Sequence, residues 1–130
     1  MKKAKKYTRE SIRQLADEIT QFLVDHELHY DVQIYYNGLV RKLTDREPYY
    51  TEEERDVFSY VEYVPDKHIL SMVFEGPFYE LMNGDWFSDT LIDQFNEILE
   101  KYGLWYEQGM AFNLSTYPNG DIEEYEYLVS

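Results

Sequence analysis

The chain has 130 residues, of which 44% are hydrophobic, and it carries a formal net charge of −14 at pH 7. This length and hydrophobic fraction are typical of one folded domain and exclude a disordered acidic tail. The absence of cysteine excludes disulfides and thiol chemistry and fits a cytoplasmic protein, and no apolar run approaches the roughly 20 residues that span a bilayer.

Charge is distributed unevenly along the chain. Residues 1–13 hold six Lys and Arg against one Glu, a net charge of +5, so the remaining chain carries −19. We therefore divide the sequence into a basic flexible arm, residues 1–7, and a single α+β domain, residues 8–130. A body this acidic repels nucleic acid and anionic membranes and attracts basic protein surfaces, although acidity can also serve solubility alone.

A helix and a hairpin are predicted first. Thr8 can cap a helix whose apolar residues recur at helical spacing, namely Ile12, Leu15, Ala16, Ile19, Phe22 and Leu23. The pair Asn37-Gly38 between two β-rich runs predicts a hairpin over residues 32–43. Alternation places on its core side Val32, Ile34, Tyr36, Leu39, Arg41 and Leu43. Arg41 is expected near the margin of that side.

The middle of the chain predicts a polar connection, a second hairpin and two helices. Thr51 and Glu54 fit a capping box within the connection, residues 45–56. Strands are expected over residues 57–64 and 68–75. Pro77 can open a short helix that ends at Gly84. A longer helix follows, with the apolar stripe Leu91, Ile92, Phe95, Ile98, Leu99 and Tyr102.

The end of the chain predicts two more strands. Residues 104–117, LWYEQGMAFNLSTY, are interpreted as one long strand with a bulge or bend at Gly109. Residues 121–130 are interpreted as a closing strand beside it, at or near a sheet edge. Strands in sequential hairpins favour an α+β fold, with a largely antiparallel sheet of about five to six strands and two main helices packed on it.

Catalytic and metal-binding motifs give no positive signal. The sequence contains no GxSxG, P-loop, GxGxxG or HExxH motif. His26 and His29 have the spacing that would place two metal ligands on one side of a helix, but no third ligand is indicated. We interpret them instead as solvated histidines at a helix end, where the dipole favours them. The prediction is a non-enzymatic protein without a metal or a cofactor.

Three acidic clusters are the candidate partner-binding residues. They are Glu52, Glu53, Glu54 and Asp56 in the polar connection; Asp89, Asp93 and Glu97 on the second long helix; and Asp121, Glu123, Glu124 and Glu126 at the end, with Tyr125 and Tyr127 as aromatic contacts. The helical cluster steps by four residues and so stacks along one edge, where like charges cost a few tenths of a kcal/mol per pair.

The spacing of these carboxylates suggests a function. Two residues apart on a strand, they lie roughly 6.8 Å from each other, and one DNA strand carries a charge about every 3.4 Å. Such rows, aligned with an acidic helix edge, would imitate a phosphate backbone. The alternative is a solvated face with edge protection. That alternative is slightly favoured for the terminal strand alone, whereas three clusters in one small chain favour partner binding.

In composition, size, absence of cysteine and tyrosine-rich acidic strands, the chain resembles the small acidic DNA-mimic inhibitors of phages and mobile elements, the antirestriction and anti-CRISPR class. No signature residues carry this resemblance, so it assigns no position. It implies an inhibitor that occupies the basic, nucleic-acid-binding surface of a host defence nuclease and contacts neither nucleic acid nor membrane directly. The alternatives are a general protein-interaction, immunity or self-assembly module, with a homo-oligomer possible, and, less favoured, a small-ligand enzyme.

Overall fold

The structure is a computed structural model, and it describes residues 5–60, 68–84, 89–118 and 125–127. Its elements in chain order are β1 (Lys5–Tyr7), α1 (Arg9–Asp25), β2 (Val32–Tyr36), β3 (Leu39–Leu43), β4 (Tyr50–Glu54), α2 (Val57–Tyr60), β5 (Ser71–Phe74), α3 (Gly76–Met82), α4 (Asp89–Lys101), β6 (Leu104–Met110), β7 (Asn113–Pro118) and β8 (Tyr125–Tyr127). Six strands form one antiparallel sheet in the order β4-β3-β2-β5-β7-β6, while β1 and β8 form a separate parallel pair. The predicted α+β class with a six-stranded antiparallel sheet is confirmed.

The two long helices cover one face of this sheet. Thr8 begins α1 as predicted, because its hydroxyl accepts from the Ser11 N–H at 3.0 Å and the Ser11 hydroxyl accepts in return from the Thr8 N–H. Phe22 of α1 and Phe95 of α4 place their ring centroids 6.1 Å apart. The buried core lies between these helices and the strands, and includes Ile34, Met72, Phe74, Phe78 and Leu114.

The opposite side of the sheet, called the second face below, follows from the strand register. It carries Gln33, Tyr35, Val40, Lys42, Thr51, Glu53, Ser71, Val73, Trp105, Glu107, Asn113, Ser115 and Tyr117. Val57 of α2 packs on Tyr35 and Val40 and forms a small second cluster there. The second face is therefore covered by α2 at the β2–β3 end.

The first hairpin forms as predicted, with one difference. Asn37 and Gly38 both have positive φ, 51° and 76°, as a two-residue turn of the primed kind requires. Arg41 was expected near the margin of the core side, but its side chain is only 1% exposed. Its charge is tolerated there because two carboxylates and two hydroxyls surround it, as described below.

Two predictions in the middle of the chain are wrong. Residues 50–54 form edge strand β4 rather than a polar connection with a capping box, and Glu52 lies opposite Arg41 across β3. Cross-strand charge pairing outweighs the low β-propensity of glutamate. Residues 57–60 form helix α2 rather than a strand, and the Asp56 carboxylate accepts from the Phe58 N–H at 3.1 Å where α2 starts.

The predictions for the chain ends also need correction. Residues 104–117 form two paired strands, β6 and β7, and the predicted irregularity at Gly109 is a register shift between Gln108 and Met110. Strand β8 does not lie beside them but pairs in parallel with β1. Strand β1 overlaps the predicted flexible arm, and its Tyr7 is buried, with its hydroxyl donating to the Tyr102 carbonyl at 2.9 Å.

Candidate partner-binding surface

The first acidic cluster lies at the β4 edge of the sheet and is partly neutralised. Glu53 lies on the second face between Lys42 and Arg55, at 2.8 Å and 2.7 Å. The hydrogen bond and charge of Lys42 lower the pKa of Glu53. Glu54 is exposed at the strand end, and Asp56 is engaged at the start of α2. The cluster thus offers a partner fewer free charges than its sequence suggests.

Glu52 belongs to a network around the buried side chain of Arg41. Its carboxylate accepts from Arg41 Nε at 2.9 Å and also from the Tyr36 hydroxyl. Burial alone would raise the pKa of Glu52, but the hydrogen bonds from Tyr36 and Arg41 lower it overall. Burial and the same carboxylate raise the pKa of Tyr36 to about 12, which keeps its hydroxyl a donor. The Glu52 carboxylate is therefore engaged by two groups of its own chain, although its side chain remains 21% exposed.

The other groups around Arg41 complete this network. Its Nη1 lies 2.9 Å from the Asp17 carboxylate and donates to the Thr20 hydroxyl at 3.0 Å. The Tyr50 ring centroid lies 4.0 Å from the Arg41 guanidinium carbon, in a cation–π contact. An open cleft of about 450 Å³ adjoins the network between α1 and residues 47–50. Because the guanidinium is already occupied by these groups, the cleft offers no free cation for an anionic ligand.

His29 lies nearby and corrects another prediction. The sequence suggested a solvated histidine, but His29 is 5% exposed. It stacks on Tyr30 at a centroid distance of 4.6 Å and meets the edge of Tyr49 at 5.8 Å. His29 and Tyr30 of this aromatic group follow closely after the apolar C-terminal turn of α1 in the sequence. Tyr49 and Tyr50 are thus both occupied by contacts within the chain.

The second cluster is the exposed row on α4. Asp89, Asp93 and Glu97 are all exposed, and none of them forms an ion pair within the described residues. Lys101, at the end of the same helix, reaches across to Glu18 of α1. Successive residues turn by about 100° around a helix, so Asp89 and Asp93 lie on the outer side of α4, away from both the core and α1.

The third cluster is described only in part. Asp121, Glu123 and Glu124 lie outside the described residues, as do residues 119–120. Tyr125, Glu126 and Tyr127 form β8, with Glu126 opposite Lys6 of β1. The backbone therefore brings an acidic and a basic segment together.

The structure does not bring the β4 and α4 clusters together. Strand β4 is one edge of the sheet, and α4 packs on β6, the other edge. Five strand spacings separate these edges, about 24 Å at 4.8 Å each. The two clusters thus belong to opposite edges of the sheet, and the α4 row forms no ion pair within the part of the chain that the structure describes.

An aromatic group on the second face was missed. Trp105 is 43% exposed, and its ring centroid lies 5.3 Å from that of Tyr117. Burial raises the pKa of Tyr117, a hydrogen bond with Ser115 opposes this rise, and the charge of Glu107 adds to it. The sequence signal for this group was the alternation along LWYEQGM, which places Trp105 and Glu107 on the face of β6 that lies opposite to the face with the buried Leu104.

Catalytic geometry is not apparent in the described part of the chain. His68 Nδ1 lies 2.8 Å from the Ser71 hydroxyl, which lies 2.7 Å from the Ser115 hydroxyl. Ser71 is fully buried, while His68 borders a cavity of about 200 Å³. Residues 5–60, 68–84, 89–118 and 125–127 contain no group of three or more His, Asp or Glu placed to hold a metal ion. Within the same residues, no helix has the length and apolar character needed to span a bilayer.

Comparison with protein-family models, with curated proteins and with solved structures found no match for this chain.

Proposed function

We propose that this chain is a non-enzymatic acidic binding protein that occupies a basic, nucleic-acid-binding surface of a partner, as a DNA-mimic inhibitor of a host defence nuclease. The observation that carries the proposal is the row Asp89, Asp93 and Glu97 on α4, exposed and without ion pairs in the described part. Neighbouring members lie about 6 Å apart along the helix axis, since each residue rises 1.5 Å. Two phosphate steps of a DNA strand cover about 6.8 Å.

The treatment of other carboxylates in the same chain supports this interpretation. Glu52, Glu53 and Glu18 each have a basic partner within the fold. Among the described residues the α4 row has no basic partner, although like charges four residues apart destabilise a helix. A row of like charges that lowers the stability of its helix suits a role in binding. Solubility alone requires acidic residues but not their alignment.

We place the proposed contact away from the β4 edge. Glu52 is committed to Arg41, and Glu53 is shared between two cations. We therefore assign the leading role in binding to α4 and a secondary role to Glu54. Carboxylate contacts of this kind speed association by long-range attraction and weaken as salt screens the charges.

The test begins with a pull-down from the natural host, using the tagged full chain at low salt. A captured DNA-binding protein is then titrated with labelled duplex DNA in the presence of the chain. We expect the chain to displace DNA, with an effect that weakens as salt rises. The variant Asp89→Asn/Asp93→Asn/Glu97→Gln should require at least tenfold more chain for the same displacement.

A matched control has the same change in net charge elsewhere. Glu10→Gln/Asp45→Asn/Glu80→Gln neutralises three exposed carboxylates outside the α4 row. It should displace DNA nearly as well as the native chain. Equal losses for both variants would show that net charge, not the row, is responsible. A captured partner whose DNA binding is unchanged by excess chain at low salt would refute the DNA-mimic proposal and favour a general interaction module.

A further inference from the structure

The outward edge of β6 has backbone groups that no strand of the described residues pairs with. Thr116 of β7 turns its backbone toward β5, since its N–H donates to Leu70 at 2.9 Å and its carbonyl accepts from Ile69 at 2.9 Å. The side of a strand toward which the backbone N–H and C=O groups point alternates from residue to residue. The backbone groups of Trp105 and Glu107 in β6 therefore point toward β7. Tyr106 and Gln108 then face outward. Their backbone N–H and C=O groups form no inter-strand hydrogen bonds within the described chain.

The two edges of the sheet differ in protection. Edge strand β4 carries three successive glutamates, and charges on an edge strand discourage pairing with other chains. Edge strand β6 has one charged residue, Glu107, and exposes Trp105. A partly apolar strand edge without such protection is a template for the addition of another strand.

From these observations we propose that the β6 edge docks an extended segment of a partner protein, which joins the sheet as an additional strand and carries Lys or Arg. The side chains of such a strand would alternate between two environments. On the second face they would meet Trp105, Tyr117 and Glu107, a combination of aromatic faces and a carboxylate that suits a cation. On the other face they would lie beside the outer side of α4, with Asp89 and Asp93.

Charge also decides against strand β6 of a second copy as the occupant. Pairing β6 with β6 of another copy would bring together two chains of net charge −14 and their α4 rows. A basic segment gains from the same surroundings. The inference rests on the proposed function for the sign of the partner's charge, and it adds the way in which that partner is held, by backbone pairing next to the charged row.

The probe is a fluorescein-labelled decapeptide of alternating Arg and Thr, titrated with the full chain and followed by fluorescence anisotropy. Its control is the same peptide with the amides of its four central residues N-methylated, which preserves charge and blocks hydrogen bonding along both edges. We expect the methylated peptide to bind at least tenfold more weakly. Equal binding of the two peptides, or no binding of the first, would overturn the proposal.

Variants of the chain test the same edge from the other side. Gln108→Pro removes an outward N–H, while Gln108→Ala keeps it, so only the proline variant should lose peptide affinity. Trp105→Ala should lose peptide affinity as well. Because this variant leaves the backbone edge intact, it tests the proposal even if Gln108→Pro does not fold. Full peptide affinity in both Gln108→Pro and Trp105→Ala would overturn the proposal. The proposal would also be overturned if the native chain self-associates and Gln108→Pro abolishes this self-association, because the occupant of the edge would then be a second copy.

These outcomes separate the inference from the proposed function. If Gln108→Pro still displaces DNA from the captured protein and the methylated peptide binds as well as its parent, the charged row acts alone and the strand site fails. If the decapeptide binds through the β6 edge but the chain displaces no DNA, the strand site stands and the DNA-mimic proposal fails.

Discussion

Arg41 Nε and Glu52 Oε2 lie 2.9 Å apart across neighbouring strands β3 and β4, with the Arg41 side chain 1% exposed. This ion pair joins the outermost strand of the sheet to the space beneath α1, where Asp17 and Thr20 take further hydrogen bonds from the guanidinium. A buried charge of this kind is tolerated only while its partners remain. The edge strand is therefore coupled to the core by polar contacts, in addition to its backbone ladder.

Arg41→Ala should lower the free energy of unfolding by about 3–5 kcal/mol, since it leaves the surrounding carboxylates without their shared cation and opens a cavity. Urea unfolding of both proteins measures the difference. Lys42→Ala is the matched control, because it removes an exposed partner of Glu53 on the adjacent residue. It should shift the unfolding midpoint far less. Similar shifts for the two variants would contradict a special role for the buried network.

Glu52 also predicts a pH dependence of stability. Its pKa is lower in the folded chain than its ordinary value of 4.5, because the hydrogen bonds from Tyr36 and Arg41 outweigh the effect of burial. The unfolded chain therefore binds this proton first as the pH falls. The stabilisation from ionised Glu52 is complete above about pH 4.5 and is lost as the pH falls through the lowered pKa.

Glu52→Gln isolates this effect, since glutamine keeps the shape and does not titrate. The native chain should exceed the variant in stability by a constant amount between pH 6 and 8, and the excess should shrink below about pH 4.5. Urea unfolding of both chains across this range provides the measurement. An excess that stays constant down to pH 3 would show that Glu52 is not held ionised by the fold.

Local signals in the sequence predicted part of this fold correctly. The apolar spacing of α1, its Thr8 cap and the Asn37-Gly38 turn all act within a few residues, so their outcome is visible in the sequence. Strand β4 was missed because its stability comes from Arg41 and other residues on β3, not from its own glutamates. The pairing of β8 with β1 joins opposite ends of the chain, which no local pattern reveals.

The candidate site was predictable to a similar extent. Periodicity alone identified the α4 row, because helical spacing of four residues decides which carboxylates share an edge. It did not show that Glu52 is engaged, since that depends on the burial of Arg41 from a neighbouring strand. Alternation along β6 indicated which face Trp105 lies on, but not its exposure, because exposure of an aromatic residue depends on which elements cover the second face.

The contacts of Tyr7 predict that strand β1 is anchored to the rest of the fold. It is 4% exposed, and its hydroxyl donates to the Tyr102 carbonyl at 2.9 Å. Tyr7→Phe should cost about 1 kcal/mol of stability through the lost hydrogen bond, and Tyr7→Ala about 3–5 kcal/mol through the cavity. Thermal unfolding of the two variants beside the native chain measures this. A flexible arm over residues 1–7 would instead leave both variants as stable as the native chain.

The α4 row predicts that stability and binding change in opposite directions. Asp93 has Asp89 four residues before it and Glu97 four residues after it, and all three are exposed. Asp93→Lys turns the repulsion between residue 93 and its two acidic neighbours into attraction, so the variant should be more stable by roughly 0.5–1 kcal/mol at low salt. The same substitution interrupts the row and should reduce displacement of DNA from the captured partner at least tenfold.

Asp45→Lys makes the same change in charge at an exposed position outside the row, and it should alter displacement far less. Urea unfolding and the displacement titration, run on the same preparations, compare the two effects. A more stable Asp93→Lys chain with undiminished displacement would mean that the row plays no part in binding.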